Sequence, residues 1–210
     1  MTQSDAEKIR LMGHREFVGG NGVLWDEIAN LQLNFLKSEG LLPRHTLIDI
    51  ACGSLRAGRL FINYLDTGKY LGIDKEISLI IHGVAEELGV NRYIDKNPIF
   101  VVSSDFEFIK FSQVPDYAIA QSLLTHLTAN DIYKCFHSLR KIISRDGKFY
   151  ATFFEVEVPT YNLLESDSID CFFYTREQMN MLADLSGWRM TYIGDWGHPR
   201  GQHMLKLEPK

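Results

Sequence analysis

The sequence predicts an α/β fold: a doubly wound, mostly parallel sheet of seven strands with helices on both faces, a C-terminal antiparallel hairpin and an N-terminal helical cap. Three observations carry this. Short apolar runs alternate with segments of helical period from residue 46 onward, the pattern of βαβ units. The last two runs, 188–193 and 203–207, are too close for a helical crossover and must pair antiparallel. The stretch before residue 43 carries helical spacing and no strand.

Each element follows in order. Leu24, Ile28, Leu31 and Phe35 recur at helical spacing, and Gly40 followed by Pro43 ends that helix. Residues 46–51 (TLIDIA) suit a buried strand, 56–65 a helix, and 70–74 (YLGID) a second strand. A helix over 77–88 precedes strands at 99–103 and 117–121. Thr128 is placed to cap a helix over 129–144, its hydroxyl accepting from a free backbone N–H of the first turn. Beyond Arg145-Asp146-Gly147 lies a long strand, 148–155. Thr175-Arg176-Glu177-Gln178 has the form of a capping box, opening a helix that stops at Gly187. No repeat or linker interrupts the series, so one domain over 1–210 is expected, with a cap at 1–43 and a core sheet at 44–210.

Composition narrows the partners. Lysine and arginine total 22 against 27 acidic residues, a net charge of −5, which argues against a main role on nucleic acid. Lys134, Arg140, Lys141, Arg145 and Lys148 cluster on a polar helical face and the turn after it, as a solvated face does. Cys52, Cys135 and Cys171 form no C-x-x-C pair, which excludes a zinc ribbon, and their odd number argues against a disulfide framework. His198 and His203 flank a hairpin turn without a third ligand in view, so no metal is expected. The start lacks the apolar core of a secretory signal and no run is long enough to span a membrane; a cytoplasmic protein without a membrane partner is the expectation.

Ligands of doubly wound sheets bind beyond the carboxyl ends of the strands. The first such turn here is LIDIACGSLRAGR, residues 47–59. A P-loop would need Lys and Ser/Thr where Arg59 and Leu60 stand. A dinucleotide turn would need glycines where Ala51 and Leu55 stand, and Leu55 would crowd a diphosphate. A turn for S-adenosylmethionine (SAM), which has no phosphates, needs an acidic strand end and small residues.

On these residues the chain resembles a class I SAM-dependent methyltransferase. Asp49-Ile50-Ala51-Cys52-Gly53 is similar to the family's D-x-G-x-G signature, with alanine for the first glycine and Leu55 where a third is common. Asp74, 25 residues beyond Asp49, stands where the family's acidic residue accepts from the ribose hydroxyls. Ser104 and Asp105 end the third strand, at the family's adenine position, and Gln121-Ser122 follow strand four, where its backbone lines the methionine moiety. The closing segment 194–205 resembles the family's terminal hairpin. The resemblance implies SAM as cofactor, held by Asp49, Ala51, Cys52, Gly53, Arg56, Asp74, Ser104, Asp105, Gln121 and Ser122.

The N-terminal stretch reads as a cap over that cofactor. Gly19 and Gly20 permit a sharp turn, Arg15 suits the cofactor carboxylate, and Phe17 or Trp25 suits the sulfonium. Glu155, at the end of strand five, and His126, after strand four, are the acid–base candidates. In its apolar context His126 reads first as a hydrogen-bonded structural histidine. Phe173 and Tyr174 are candidates to line an acceptor pocket, with core packing the alternative. Little chain lies outside the core fold, which favours a small-molecule acceptor. Two other readings stay open: cyclisation of SAM to azetidine-2-carboxylate and methylthioadenosine, and a non-catalytic domain binding a nucleotide or a protein. Oligomeric state is not legible.

Overall fold

The computed structural model describes residues 4–19 and 22–210; Gly20, half of the expected glycine turn, lies outside them. Two units are compact in themselves, Met1–Ser104 and Asp105–Lys210.

The first begins with α1 (Asp5–Met12), capped by Ser4 and Glu7 in a reciprocal box, then α2 (His14–Phe17) and α3 (Val23–Ser38). The apolar stripe of α3 turns inward: Trp25, Ile28, Ala29 and Leu36 are buried. Strands β1 (Leu47–Ile50), β2 (Tyr70–Asp74) and β3 (Ile99–Val102) pair in parallel, in the order β3-β2-β1. Every residue of β1 and β2 is buried, as expected of strands covered on both faces. Between them run α4 (Gly58–Tyr64), α5 (Ile77–His82) and α6 (Val90–Lys96).

The helix expected over 77–88 changes character halfway. α5 stops at His82 and a π-helical turn continues over Gly83–Leu88. Such turns are rare and concentrate at functional sites.

The second unit holds β4 (Tyr117–Ala120), α7 (Ala129–Arg140), β5 (Lys148–Glu155), β6 (Phe173–Tyr174), α8 (Arg176–Leu185), β7 (Trp188–Asp195) and β8 (His203–Pro209). Thr128 caps α7 through Asp131 N, and Thr175 and Gln178 form the box that opens α8, both as read from the sequence. α7 ends at Arg140, short of the predicted 144. The strand order is β4-β5-β8-β7, with β8 antiparallel to both neighbours and β6 beside β5. The core is aromatic: Phe136, Phe149, Tyr150 and Phe153 are fully buried, and buried Trp188 donates to Phe136 O at 3.0 Å.

The described strands make a mixed, mostly parallel sheet of eight, one more than expected because β6, in the short aromatic run 172–174, is only two residues long. The terminal pair is the predicted antiparallel hairpin. No helix among the described residues is long and apolar enough to cross a membrane.

Candidate functional site

The turn after β1 keeps a glycine-like backbone without the glycines. Ala51 (φ 58°), Gly53 (φ 53°) and Leu55 (φ 61°) are all left-handed. For a residue with a Cβ this conformation costs about 1–2 kcal/mol. Packing offsets it at Leu55, whose side chain is wholly buried. It turns down against two glycines: a Cβ on Gly58 would stand 2.8 Å from Leu55 Cδ2, and one on Gly83 would stand 2.7 Å from Leu55 Cγ and 2.7 Å from the Ser54 carbonyl carbon. Leu55 therefore does not crowd the ligand side of the turn. The small residue that the signature asks for at 55 is supplied from beneath, by Gly58 and Gly83.

This arrangement is testable. Gly83→Ala is expected to lower stability by about 1–3 kcal/mol, the usual cost of overpacking, despite alanine's better helix propensity. Chemical denaturation of Gly83→Ala, Leu55→Ala and the double variant checks it. The double variant is expected to lose less than the two single losses combined, because Leu55→Ala removes the side-chain part of the clash and leaves only the contact with the Ser54 backbone.

Two carboxylates flank the turn. Asp74, at the end of β2, accepts from Gly53 N at 2.8 Å through Oδ2 and from Glu76 N at 2.9 Å through Oδ1. Burial pushes its carboxyl above the ordinary range, against the pull of those two N–H groups. Asp49 is also buried and accepts from Tyr70 OH at 2.8 Å. Burial lifts its pKa to about 7, opposed by the Tyr70 hydrogen bond and assisted by Asp74. Cys52 is buried beside them and its thiol is pushed well up, first by burial and then by the two carboxylates; it is a packing residue with no thiolate to offer.

The N-terminal segment packs against this turn. Val18 Cγ2 would be 3.2 Å from a Cβ on Gly53, and Gly19 turns the chain with φ 79°. Arg15 grips Glu87 with Nε on Oε1 at 2.6 Å and Nη2 on Oε2 at 2.9 Å. Trp25 donates to the same carboxylate at 3.2 Å, and its ring carries the guanidiniums of Arg15 at 5.1 Å and Arg56 at 5.8 Å. Phe17 is half-buried in α2. Glu87, on the π-helical turn, thus ties Arg15 and Trp25 together, and nothing local in the sequence singles it out.

In the second unit, Gln121 and Ser122 follow β4, Ser122 being left-handed (φ 60°). Ser122 N donates to Thr152 Oγ1 at 2.8 Å, and Gln202 Oε1 accepts from Thr152 Oγ1 at 2.7 Å and from Ser122 Oγ at 3.0 Å. Gln121 Nε2 is 3.1 Å from His198 Nε2. The closing hairpin thereby fixes the turn after β4. Ser104 and Asp105 are exposed past the end of β3.

The acid–base candidates separate. His126 Nδ1 meets Asp170 O at 3.0 Å, a structural contact. Tyr174 is buried and donates to Leu127 O at 2.6 Å, whereas Phe173 is exposed and stacks on Phe154 at 5.5 Å. Glu155 Oε2 accepts from Tyr192 OH and lies 2.5 Å from His203 Nδ1, while Oε1 accepts from Arg176 Nε at 3.1 Å. Burial raises the Glu155 carboxyl, but Tyr192, His203 and Arg176 outweigh it and hold it below its usual value. A carboxylate only accepts, so the proton between them sits on His203 Nδ1. The β5–β8 register, with Phe153 opposite His203, brings this pair together at the carboxyl end of β5. The sequence weighs His203 only as a metal ligand beside His198; the hairpin register was the signal that pairs it with Glu155.

No protein-family model matches the chain, and no curated protein matches it in sequence. Solved structures do resemble it. Magnesium protoporphyrin IX methyltransferase (ChlM) from Synechocystis PCC 6803, with bound SAM, superposes with a TM-score of 0.67 at 12% identity over 100% of this chain and 99% of its own. An S-adenosylmethionine-dependent methyltransferase from Clostridium acetobutylicum ATCC 824 gives 0.65 at 8% identity, over 97% and 98%. The DhpI complex with S-adenosylhomocysteine (SAH) gives 0.61 at 17% identity, over 98% and 89%. At these identities the likeness establishes the fold, which is that of class I SAM-dependent methyltransferases. None of these neighbours lends support to a SAM-cyclising reading.

Proposed function

We propose that this chain, with the class I SAM-dependent methyltransferase fold, binds SAM and passes its methyl group to a small-molecule acceptor. The observation that carries the reading is the left-handed turn 51–55, tied to Asp74 by Gly53 N at 2.8 Å. A Cβ at Gly53 would stand 3.2 Å from Val18 Cγ2, so the glycine is what lets the N-terminal segment approach the turn this closely. The residues fit SAM better than a diphosphate: Asp74 supplies a carboxylate for a ribose diol, and that same charge beside Gly53 N would repel phosphate. Asp49, Ala51, Cys52, Gly53 and Arg56 would form the floor. Ser104 and Asp105 would meet the adenine, and Gln121 and Ser122 the methionine portion. Arg15, Phe17, Gly19 and Trp25 would close over it, with Arg15 exchanging Glu87 for the ligand carboxylate.

When bound, SAM supplies a methyl group already activated by the sulfonium. The protein's task is alignment and exclusion of water. His203 Nε2 is set up to take a proton, with Glu155 stabilising the imidazolium that results. This suits an acceptor hydroxyl or ammonium that must lose a proton to become nucleophilic. Glu155 would thus orient the base, and Phe173 would flank the acceptor.

SAM and SAH are expected to raise the melting temperature while NAD and ATP leave it unchanged. A ligand confined to the folded state stabilises by about 2.7 kcal/mol at a hundredfold excess over Kd. A shift with ATP and none with SAM would instead support a nucleotide-binding domain.

A further inference from the structure

We propose that His14, His82 and Glu86 form a zinc site that clasps the N-terminal segment to the helix following β2. His14 belongs to α2, His82 closes α5, and Glu86 stands on the π-helical turn. One donor atom from each lies within 4.8 Å of the others. His14 Nε2 is 3.3 Å from Glu86 Oε2, and His82 Nδ1 is 2.6 Å from Glu86 Oε1.

The distances match what the ion requires. With bonds of about 2.0–2.2 Å, donors around tetrahedral zinc stand roughly 3.3–3.5 Å apart. The His14–Glu86 pair already has that spacing. His82 now holds the other oxygen, Oε1, so a shared ion on Oε2 requires His82 Nδ1 to give up that hydrogen bond and turn, which the 41% and 53% exposure of the two side chains permits. The two imidazole centroids are 5.2 Å apart and their planes within 10° of parallel. Turning the exposed His82 ring aims its in-plane lone pair at the same point as that of His14.

The surroundings favour a cation there. His14 is buried, edge-on to Trp25 at 6.0 Å, and its Nδ1 has no hydrogen-bond partner among the described residues. Nε2 faces both Glu86 and, at 3.7 Å, Glu87 Oε1. Two stacked imidazoles repel one another when both are protonated and gain little when neutral. One divalent ion satisfies both at once. Two nitrogens and one carboxylate oxygen select a borderline ion such as Zn²⁺ over Mg²⁺ or Ca²⁺, which prefer all-oxygen sites. Water, or Glu87 at the cost of its bond to Arg15, would complete four-coordination.

A bound ion links residue 14 to residues 82–86 and so holds in place the stretch carrying Arg15 and Val18. It is independent of any cofactor, and its test needs none. Chelator-stripped protein is titrated with Zn²⁺ by calorimetry and with Co²⁺ by visible absorption. Expected are one equivalent of zinc, a tetrahedral cobalt spectrum and a zinc-dependent rise in melting temperature. His82→Asn is expected to weaken binding at least tenfold, about the least that even outer-shell changes cost, while His137→Asn changes nothing. His82 is exposed, so its variant folds, as circular dichroism would verify. No binding by the wild-type chain, or undiminished binding in His82→Asn and His14→Asn, overturns the site.

Discussion

Replacing Asp74 with alanine is expected to reduce SAM affinity at least a hundredfold in protein that is still folded. A carboxylate accepting from two ribose hydroxyls makes two charge-assisted hydrogen bonds, worth about 1.5–3 kcal/mol each, and the lower end of their sum is about a hundredfold in Kd. The substitution also removes the acceptor for Gly53 N and Glu76 N, so melting temperature falls as well. Asp74→Asn separates the two effects. Its amide oxygen keeps one backbone bond while the charge is lost, so it should recover most of the stability and little of the affinity. Calorimetric titration and thermal melts on both variants are the measurements. Full SAM affinity in Asp74→Ala would place the ribose elsewhere and remove the basis for reading YLGID as a cofactor strand.

That strand shows how far residue types alone reach. YLGID is apolar up to its final aspartate, and β2 occupies those residues with all of them buried. Asp49, Gly53 and Asp74 are drawn together because adjacent parallel strands place their carboxyl ends at one edge, which alternation already implies. The glycine substitutions are less transparent. Ala51 and Leu55 suggest an altered turn, yet the backbone keeps its left-handed path, because room for Leu55 comes from Gly83, 28 positions away. The π-helical turn has no periodic signature in a short segment, so Glu87 could not be paired with Arg15 and Trp25, which lie 72 and 62 positions away. His203 needed only a register: opposite Phe153, it falls beside Glu155.

The pH dependence of folding is expected to expose Asp49. Its carboxyl titrates at about 7 in the folded chain because burial disfavours the charge, the Tyr70 hydrogen bond opposing only in part. The unfolded chain releases this proton near the ordinary value of about 3.9. Between those limits the folded state holds a proton that the unfolded state has lost, so folding stability falls as pH rises. The contribution is complete below pH 4, fades through pH 7 and is gone above it. Three pH units correspond to about 4 kcal/mol at most. Glu155, Glu86 and Asp131 are shifted the opposite way and contribute stability that is lost on acidification, so the total profile mixes both signs. The difference between Asp49→Asn and wild type isolates one group. Asparagine can still accept from Tyr70 OH and never ionises, so the variant should match wild type near pH 4 and exceed it by several degrees of melting temperature at pH 8. Parallel profiles would mean that Arg56 keeps the Asp49 charge satisfied. A SAM titration of the same variant reads the second role: unchanged affinity makes Asp49 a buried partner of Tyr70, and a tenfold loss makes it a ligand of the cofactor.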